Sequence, residues 1–173
     1  MERVLPHDPL WADAFIAEAE AISAALQPTR ITLHHIGSTA VTGLAAKPII
    51  DILGSVDSLE MLDAAVLAMT GLGYEIMGAF GIEGRRYFRK TRPDGVRTHH
   101  LHVYETGSAH IPRHLAFRDY LRAFPERAAA YAAVKTAVVR GDHSPGYTYA
   151  EAKADIVAAL KSEAAAWQNL IQP

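Results

Sequence analysis

Residues 32–54, TLHHIGSTAVTGLAAKPIIDILG, decide the fold. An apolar run ends in Gly37-Ser38, a loop of small residues follows, and a second apolar run carries one acid, Asp51. Side chains alternate along a strand, so Ile50 and Ile52 share one face while Ile49, Asp51 and Leu53 share the other. If helices cover the isoleucine face, Asp51 points to the open side. A strand carboxylate needs a partner there, which Lys47, an arginine or a ligand would supply. The connection over 37–47 is too short for a long helix but long enough for one or two turns.

Outward from this segment, Asp8 before Pro9 reads as an N-cap with proline at the first helical position. Trp11, Phe15, Ile22 and Leu26 fall on one helical face, which predicts a helix to about residue 27, stopped by Pro28. Strands are expected over 31–36 and 48–56. Asp57-Ser58-Leu59-Glu60 fits a capping box with Asp57 as the cap, opening a helix to residue 70 that Gly71 and Gly73 end. Strands follow over 74–80, 85–91 and 96–104, the last two joined by the turn Arg92-Pro93-Asp94-Gly95. Beyond Gly107 the pattern turns helical, over 111–124, 125–140 and 148–170, with a second capping box at Thr148 and Glu151. The expectation is an α+β fold: a mixed sheet with helices on one face and a C-terminal helical half. One domain over 1–173 accounts for it, with an α/β core to about residue 107 and a helical part over 108–173.

Bulk properties narrow the chemistry. Half of the 173 residues are hydrophobic and 21% are charged, an ordinary globular composition. A net charge of -2 gives no global attraction to nucleic acid or anionic membrane. The absence of cysteine excludes disulfides, thiolate metal sites and thiol nucleophiles. No apolar leader, long apolar span or lipidation motif is present, so the expectation is a cytoplasmic protein without a membrane partner.

Three polar features stand out. In Arg97-Thr98-His99-His100-Leu101-His102, strand alternation puts Thr98, His100 and His102 on one face. Imidazoles at i and i+2 lie close enough for one metal ion or phosphate to bridge, though exposed strand histidines are the commoner explanation. If this strand neighbours that of Asp51, two imidazoles and a carboxylate converge, a set that suits Zn, Mn or Fe better than Mg. His34 and His35 are adjacent candidates, with a structural hydrogen bond as the simpler role. The second feature is basic: Arg85, Arg86, Arg89, Lys90, Arg92 and Arg97 are six of the seventeen basic residues, and Asp94 is the only acid among them. Such a hairpin protects a sheet edge, and it also fits an anionic ligand, because guanidinium forks match phosphate oxygens. The third is Gly37-Ser38 with Thr39: glycine admits a tight turn, serine offers a hydroxyl, and the amides that follow can cradle an anion.

The runs HIGSTAVTGLAAKPIIDI (35–52), THHLHVYE (98–105) and LAFRDYLRAFPERAAAYAAVK (115–135) resemble the GrpB-like family, over about residues 11–156. The resemblance implies a fold similar to the nucleotidyltransferases related to DNA polymerase beta. There, a Gly-Ser after the first strand helps hold triphosphate, an Asp-x-Asp on the next strand holds metal, and a later strand adds a third carboxylate. Gly37 and Ser38 match the first element and Asp51 matches one acid of the second. Leu53 stands where the second acid belongs, and the later strand offers His100 and His102, with Glu105 just beyond. Two-metal transfer needs several carboxylates to clamp both ions, so this departure weighs against it. Homologous domains fused to dephospho-CoA kinase hint at a nucleotide or coenzyme A context.

The residues and the resemblance together lead to one expectation and two alternatives. The expectation is a nucleotidyltransferase acting on a phosphorylated small molecule or nucleotide. Asp51, His100 and His102 would be the catalytic and metal-binding residues, on Mg, Mn or Zn. Gly37, Ser38, Thr39, Lys47, Arg86 and Arg97 would bind phosphate. In related small-molecule transferases the helical half supplies acceptor contacts, which makes Arg118, Lys135, Tyr149 and Lys153 candidates. The alternatives are a noncatalytic phosphate-binding module and a metal-dependent hydrolase built on Asp51 and the histidine pair. A nucleic-acid partner is disfavoured, because the basic patch is local and aromatic residues are sparse.

Overall fold

The computed structural model describes residues 3–141 and 148–171. Five strands form one mixed sheet in the order β1-β2-β5-β4-β3: β1 (Thr32–Ile36), β2 (Ile50–Val56), β3 (Tyr74–Ile76), β4 (Arg85–Thr91) and β5 (Arg97–Glu105). Only β2 and β5 pair in parallel. That pairing sets Asp51 beside His100 and Leu53 beside His102.

Helices α1 (Leu10–Ala25), α2 (Leu59–Ala65) and α3 (Ala68–Gly71) pack on one sheet face. Trp11, Ile22 and Leu26 from α1 and its C-terminal end meet Ile50, Ile52, Leu101, Val103 and Phe88 there, removing a continuous apolar surface from water. The Asp8 carboxylate accepts the amide of Leu10 at 2.9 Å, which starts α1 as expected. The cap of α2 differs: Ser58, not Asp57, accepts from the Met61 amide. The helix expected over 57–70 is divided at residues 66–67, which keep helical dihedrals. The strand expected over 74–80 ends at Ile76, because the chain turns through Gly78 at φ 61° and Phe80 at φ 46°.

The other sheet face is only partly open. Helix α4 (His110–Ala123) lies against it, and Ile111 and Leu115 pack onto a cluster of Ile36, Leu53 and Tyr104. Helices α5 (Pro125–Arg140) and α7 (Ala154–Ile171) complete a second core with α4, around Leu121, Tyr131 and Leu160. The short α6 (Tyr149–Ala152) opens on the capping box of Thr148 and Glu151. Pro125 begins α5 and Gly141 closes it at φ 89°. Among the described residues no helix is long and apolar enough to cross a membrane.

Candidate functional site

Strand β1 ends at Ile36 and the chain turns sharply at Gly37, with φ 71° and ψ -170°, into a single 3-10 turn, Ser38–Ala40. A β-carbon on Gly37 would lie 2.6 Å from Asp51 Oδ2 and 3.0 Å from Asp51 Cβ. Glycine is therefore required twice, by its dihedral and by the approach of the acid. The turn uses the amides of Ala40 and Val41, leaving those of Ser38 and Thr39 out of its own hydrogen bonds.

Asp51 points to the α4 side of the sheet with its carboxylate partly exposed. Its Oδ1 lies 3.0 Å from His100 Nδ1, and since a carboxylate only accepts, that ring nitrogen donates. His102 is the next inward residue on the same strand face. Burial lowers its pKa to about 4, so the ring is neutral, and its Nδ1 is buried without a hydrogen-bond partner. One ligand atom from each of Asp51, His100 and His102 falls within 4.8 Å of the others.

These residues form the base of a cavity of about 550 Å³, whose walls carry Lys47, Arg97, Lys135 and Lys153, with Asp51 the only acid among the described residues. Lys135 is only 2% exposed. It donates to Ser38 Oγ at 2.9 Å and to the Ala45 carbonyl at 2.7 Å, which ties α5 to both ends of the loop between Gly37 and β2. Burial first, then the charge of Lys153, pulls its pKa down to about 7, against the opposing pull of Asp51. The ammonium groups of Lys47 and Lys153 lie 3.3 and 4.7 Å from the ring centre of Tyr149. Arg97 is steadied by donation from Nε to Thr91 Oγ1 at 2.9 Å.

The sequence-derived candidates thus divide. Gly37, Ser38, Lys47, Asp51, Arg97, His100 and His102 converge, joined by Lys135, Tyr149 and Lys153 from the helical half. Thr39 adjoins the cavity, but its hydroxyl is engaged with His35 Nε2 at 2.9 Å and the Ile49 carbonyl, so it pins the turn. His35 stacks on Phe15, and His34 lies on the α4 side near Arg118. Arg118 donates to the His35 carbonyl and to Asp119, binding α4 to β1 rather than facing the cavity.

Arg86 needs correction as a phosphate ligand. It lies on the α2 side of β4, forked onto Asp63 with both bonds at 2.7 Å. The rest of the basic cluster disperses likewise: Arg89 pairs with Glu75, Lys90 with Glu18, and Arg92 with Asp94. Arg85, on the α4 side, donates to the carbonyls of Ala79 and Phe80. Only Arg97 of the six lines the 550 Å³ cavity. The counter-charges Glu18, Asp63 and Glu75 come from outside the hairpin, where one-dimensional counting could not see them. Sequence reading also passed over His110 and His114, whose i, i+4 spacing marked one face of α4 and which stack against Tyr104 and His102.

Leu53 explains the missing acid. It is fully buried, 0% exposed, under Ile111 and Leu115. Position 53, two residues after Asp51 on the same strand face, is sealed by apolar packing.

A mixed sheet with this Gly-Ser turn and strand acid is a nucleotidyltransferase-like fold, and solved structures agree. The GLD-2/RNP-8 complex matches 79% of this chain and 56% of its own with a TM-score of 0.57 at 10% identity. Cid1 in complex with its short product ApU matches 76% and 42% with a TM-score of 0.52 at 14% identity. At such identities the likeness is one of fold. The chain belongs to the GrpB protein family, whose model matches residues 2–163. The conserved protein GrpB from Enterococcus faecalis superposes with a TM-score of 0.84 at 40% identity, covering 94% of this chain and 96% of that one. UPF0157 protein YqkA of Bacillus subtilis is 39% identical over 166 residues, 96% of this chain but 48% of the relative, so the chain spans about half of that protein. UPF0157 protein PA4798 of Pseudomonas aeruginosa is 41% identical over 165 residues, 94% of this chain and 67% of its own length. A 75-residue portion is 35% identical to dephospho-CoA kinase of Mycobacterium bovis, covering 42% of this chain and 18% of the kinase.

Proposed function

We propose that this chain binds a phosphorylated small molecule or nucleotide in the cavity above Asp51 and, when that ligand is a nucleoside triphosphate, transfers its nucleoside monophosphate to a small acceptor with release of pyrophosphate, with the help of one divalent ion. One observation carries the reading: among the described residues, Lys47, Arg97, Lys135 and Lys153 line one 550 Å³ space together with Ser38 and the Asp51, His100 and His102 triad. A cavity of that charge and size fits a compact polyanion.

The triad fits one ion. It offers a carboxylate oxygen and two imidazole nitrogens, and the orphaned His102 Nδ1 is a donor atom that lacks any other partner. Such a set suits Zn or Mn better than Mg, and with Leu53 buried no second carboxylate stands ready for a two-ion centre. A bound ion would supply charge neutralisation at the phosphate. The chain's own residues do the rest. Lys47, Arg97 and Lys153 hold phosphate oxygens, the Gly37 turn brings Ser38 close to Asp51, and Lys135 fixes that turn from beneath. Asp51 orients the His100 ring through the 3.0 Å bond.

The buried Leu53 favours one second reading, a phosphate-binding module that has lost catalysis. Thermal melting against nucleotides and coenzyme A precursors, each with and without Mg, Mn and Zn, separates the two. The local similarity to dephospho-CoA kinase motivates the second ligand class. A ligand at a hundred times its dissociation constant adds about 2.7 kcal/mol. Stabilisation that requires metal and disappears in Asp51→Ala supports transfer; stabilisation indifferent to both supports the module; no stabilisation by any phosphorylated ligand refutes the proposal. Product analysis then distinguishes transfer, which retains the phosphate linkage on an acceptor, from hydrolysis by the same residues.

A further inference from the structure

Beyond Asp51 the cleft continues into a second chamber of about 680 Å³ between the sheet, α4 and α7. Its wall is of another kind. His102 stacks on His114 with ring centres 5.9 Å apart, and Tyr104 stacks on His110 at 4.8 Å. Phe117 adds apolar surface, and Arg113 and Lys161 bring positive charge from exposed positions on α4 and α7. Asp51 is the only acid lining it among the described residues.

The two chambers share Asp51, His102 and Lys153, so occupants of both would meet beside the carboxylate. The volume lies in the range of sites for single organic molecules. Ring faces at a cavity wall favour stacking with a flat partner, and clustered cations favour an anionic one. The first chamber is lined by His100, His102 and Tyr149 but not by His110, His114 or Phe117, so the two differ in the ligand they select.

We infer that the second chamber binds a second organic ligand, a flat and largely apolar ring system bearing one anionic group, which stacks on the wall of His110 and His114 and points its anion toward Arg113 or Lys161. Naming that ligand the acceptor of the transferred group rests on the function proposed above; its binding does not.

The test uses the full chain and three probes: 2-naphthoate, its neutral counterpart 2-naphthylmethanol, and inorganic tripolyphosphate for the first chamber. Calorimetry should show one site for 2-naphthoate, with the neutral probe weaker by about fivefold. Ala165→Trp and Ser162→Trp place bulk at exposed chamber positions on α7. Each should weaken 2-naphthoate by about tenfold while leaving tripolyphosphate within about twofold. Side-chain NMR signals of His110 and His114 should move with 2-naphthoate and not with tripolyphosphate. Circular dichroism identifies a variant that has not folded, and the other then carries the test. No binding of 2-naphthoate, or binding that neither folded variant weakens and neither histidine reports, overturns the inference. If 2-naphthoate behaves as expected and tripolyphosphate does not bind, the second site stands and the phosphate reading falls; the reverse result sinks the site alone.

Discussion

The two faces of the sheet share the same strands and alternate residue by residue, yet the α1–α3 face pairs its charges with helix acids, while the α4 face pairs Arg89 with Glu75 at its edge and gathers cations beside Asp51. On the α1–α3 face the two charged strand groups have acids from helices, and His99, whose pKa burial lowers, adjoins one of those acids. Lys90 bonds both oxygens of Glu18, Arg86 forks onto Asp63, and His99 lies 3.8 Å from Glu18. On the α4 face, four cations surround Asp51. The first arrangement is electrostatically closed. The second gathers Lys47, Arg97, Lys135 and Lys153 on the wall of one cavity with Asp51, and that clustering, not residue type, marks the ligand-directed side.

The most severe way to break this comparison is to add an acid to the α4 face at a position that packs instead of opening. Leu53→Asp restores the Asp-x-Asp spacing but buries a carboxylate among Ile36, Tyr104 and Leu115. It should destabilise by about 4 kcal/mol or more, read by urea denaturation. A variant as stable as the wild type would show instead that position 53 tolerates a carboxylate.

Lys135 gives the next largest effect, and it appears as a pH dependence. Its pKa in the folded chain is about 7, whereas an unfolded lysine keeps its proton to about 10.4. From about pH 7 to 10 the unfolded state therefore binds the extra proton, and stability rises with pH by up to about 1.4 kcal/mol per unit. Below about pH 7 both states are protonated and this slope vanishes. The stability difference between wild type and Lys135→Met, followed by denaturation across that range, should trace the slope; a flat difference would mean that Lys135 stays charged.

Gly37→Ala should cost about 2 kcal/mol, from the positive φ and the 2.6 Å approach to Asp51, and should also weaken tripolyphosphate binding in calorimetry. On the opposite face, Glu18→Gln should cost about 1–2 kcal/mol by leaving Lys90 without a counter-charge, with tripolyphosphate affinity unchanged. Equal binding losses in these two variants would erase the distinction between the faces. The smallest effect belongs to Asp94→Asn, whose pair with Arg92 is more than half exposed; melting should change by less than about 0.5 kcal/mol equivalent.

The main architecture was legible because it rests on local signals. The caps at Asp8 and Thr148, Pro125, Gly141 and the two periodicities of apolar residues mark elements within a few residues of where they lie. Asp57 misled because its neighbour Ser58 also caps well, and the two differ by one position. Strand alternation was enough to turn Asp51, His100 and His102 toward a common side once β2 and β5 paired in parallel. The neighbourhood of Arg86 was not legible, since Asp63 reaches it only after α2 packs on the sheet.

The sequence by itself determined the order of elements, the faces of the strands, the glycine at the turn and the absence of a second acid. Each is a property of neighbouring residues and follows from backbone dihedrals and side-chain period. Tertiary structure alone decided which cations are neutralised and which gather around Asp51. It also buried Leu53 beneath α4 and brought Lys135, 97 residues away in the chain, to within 2.9 Å of Ser38. The physical reason is that charge pairing and burial depend on distance in space, which chain separation does not encode until the helices pack.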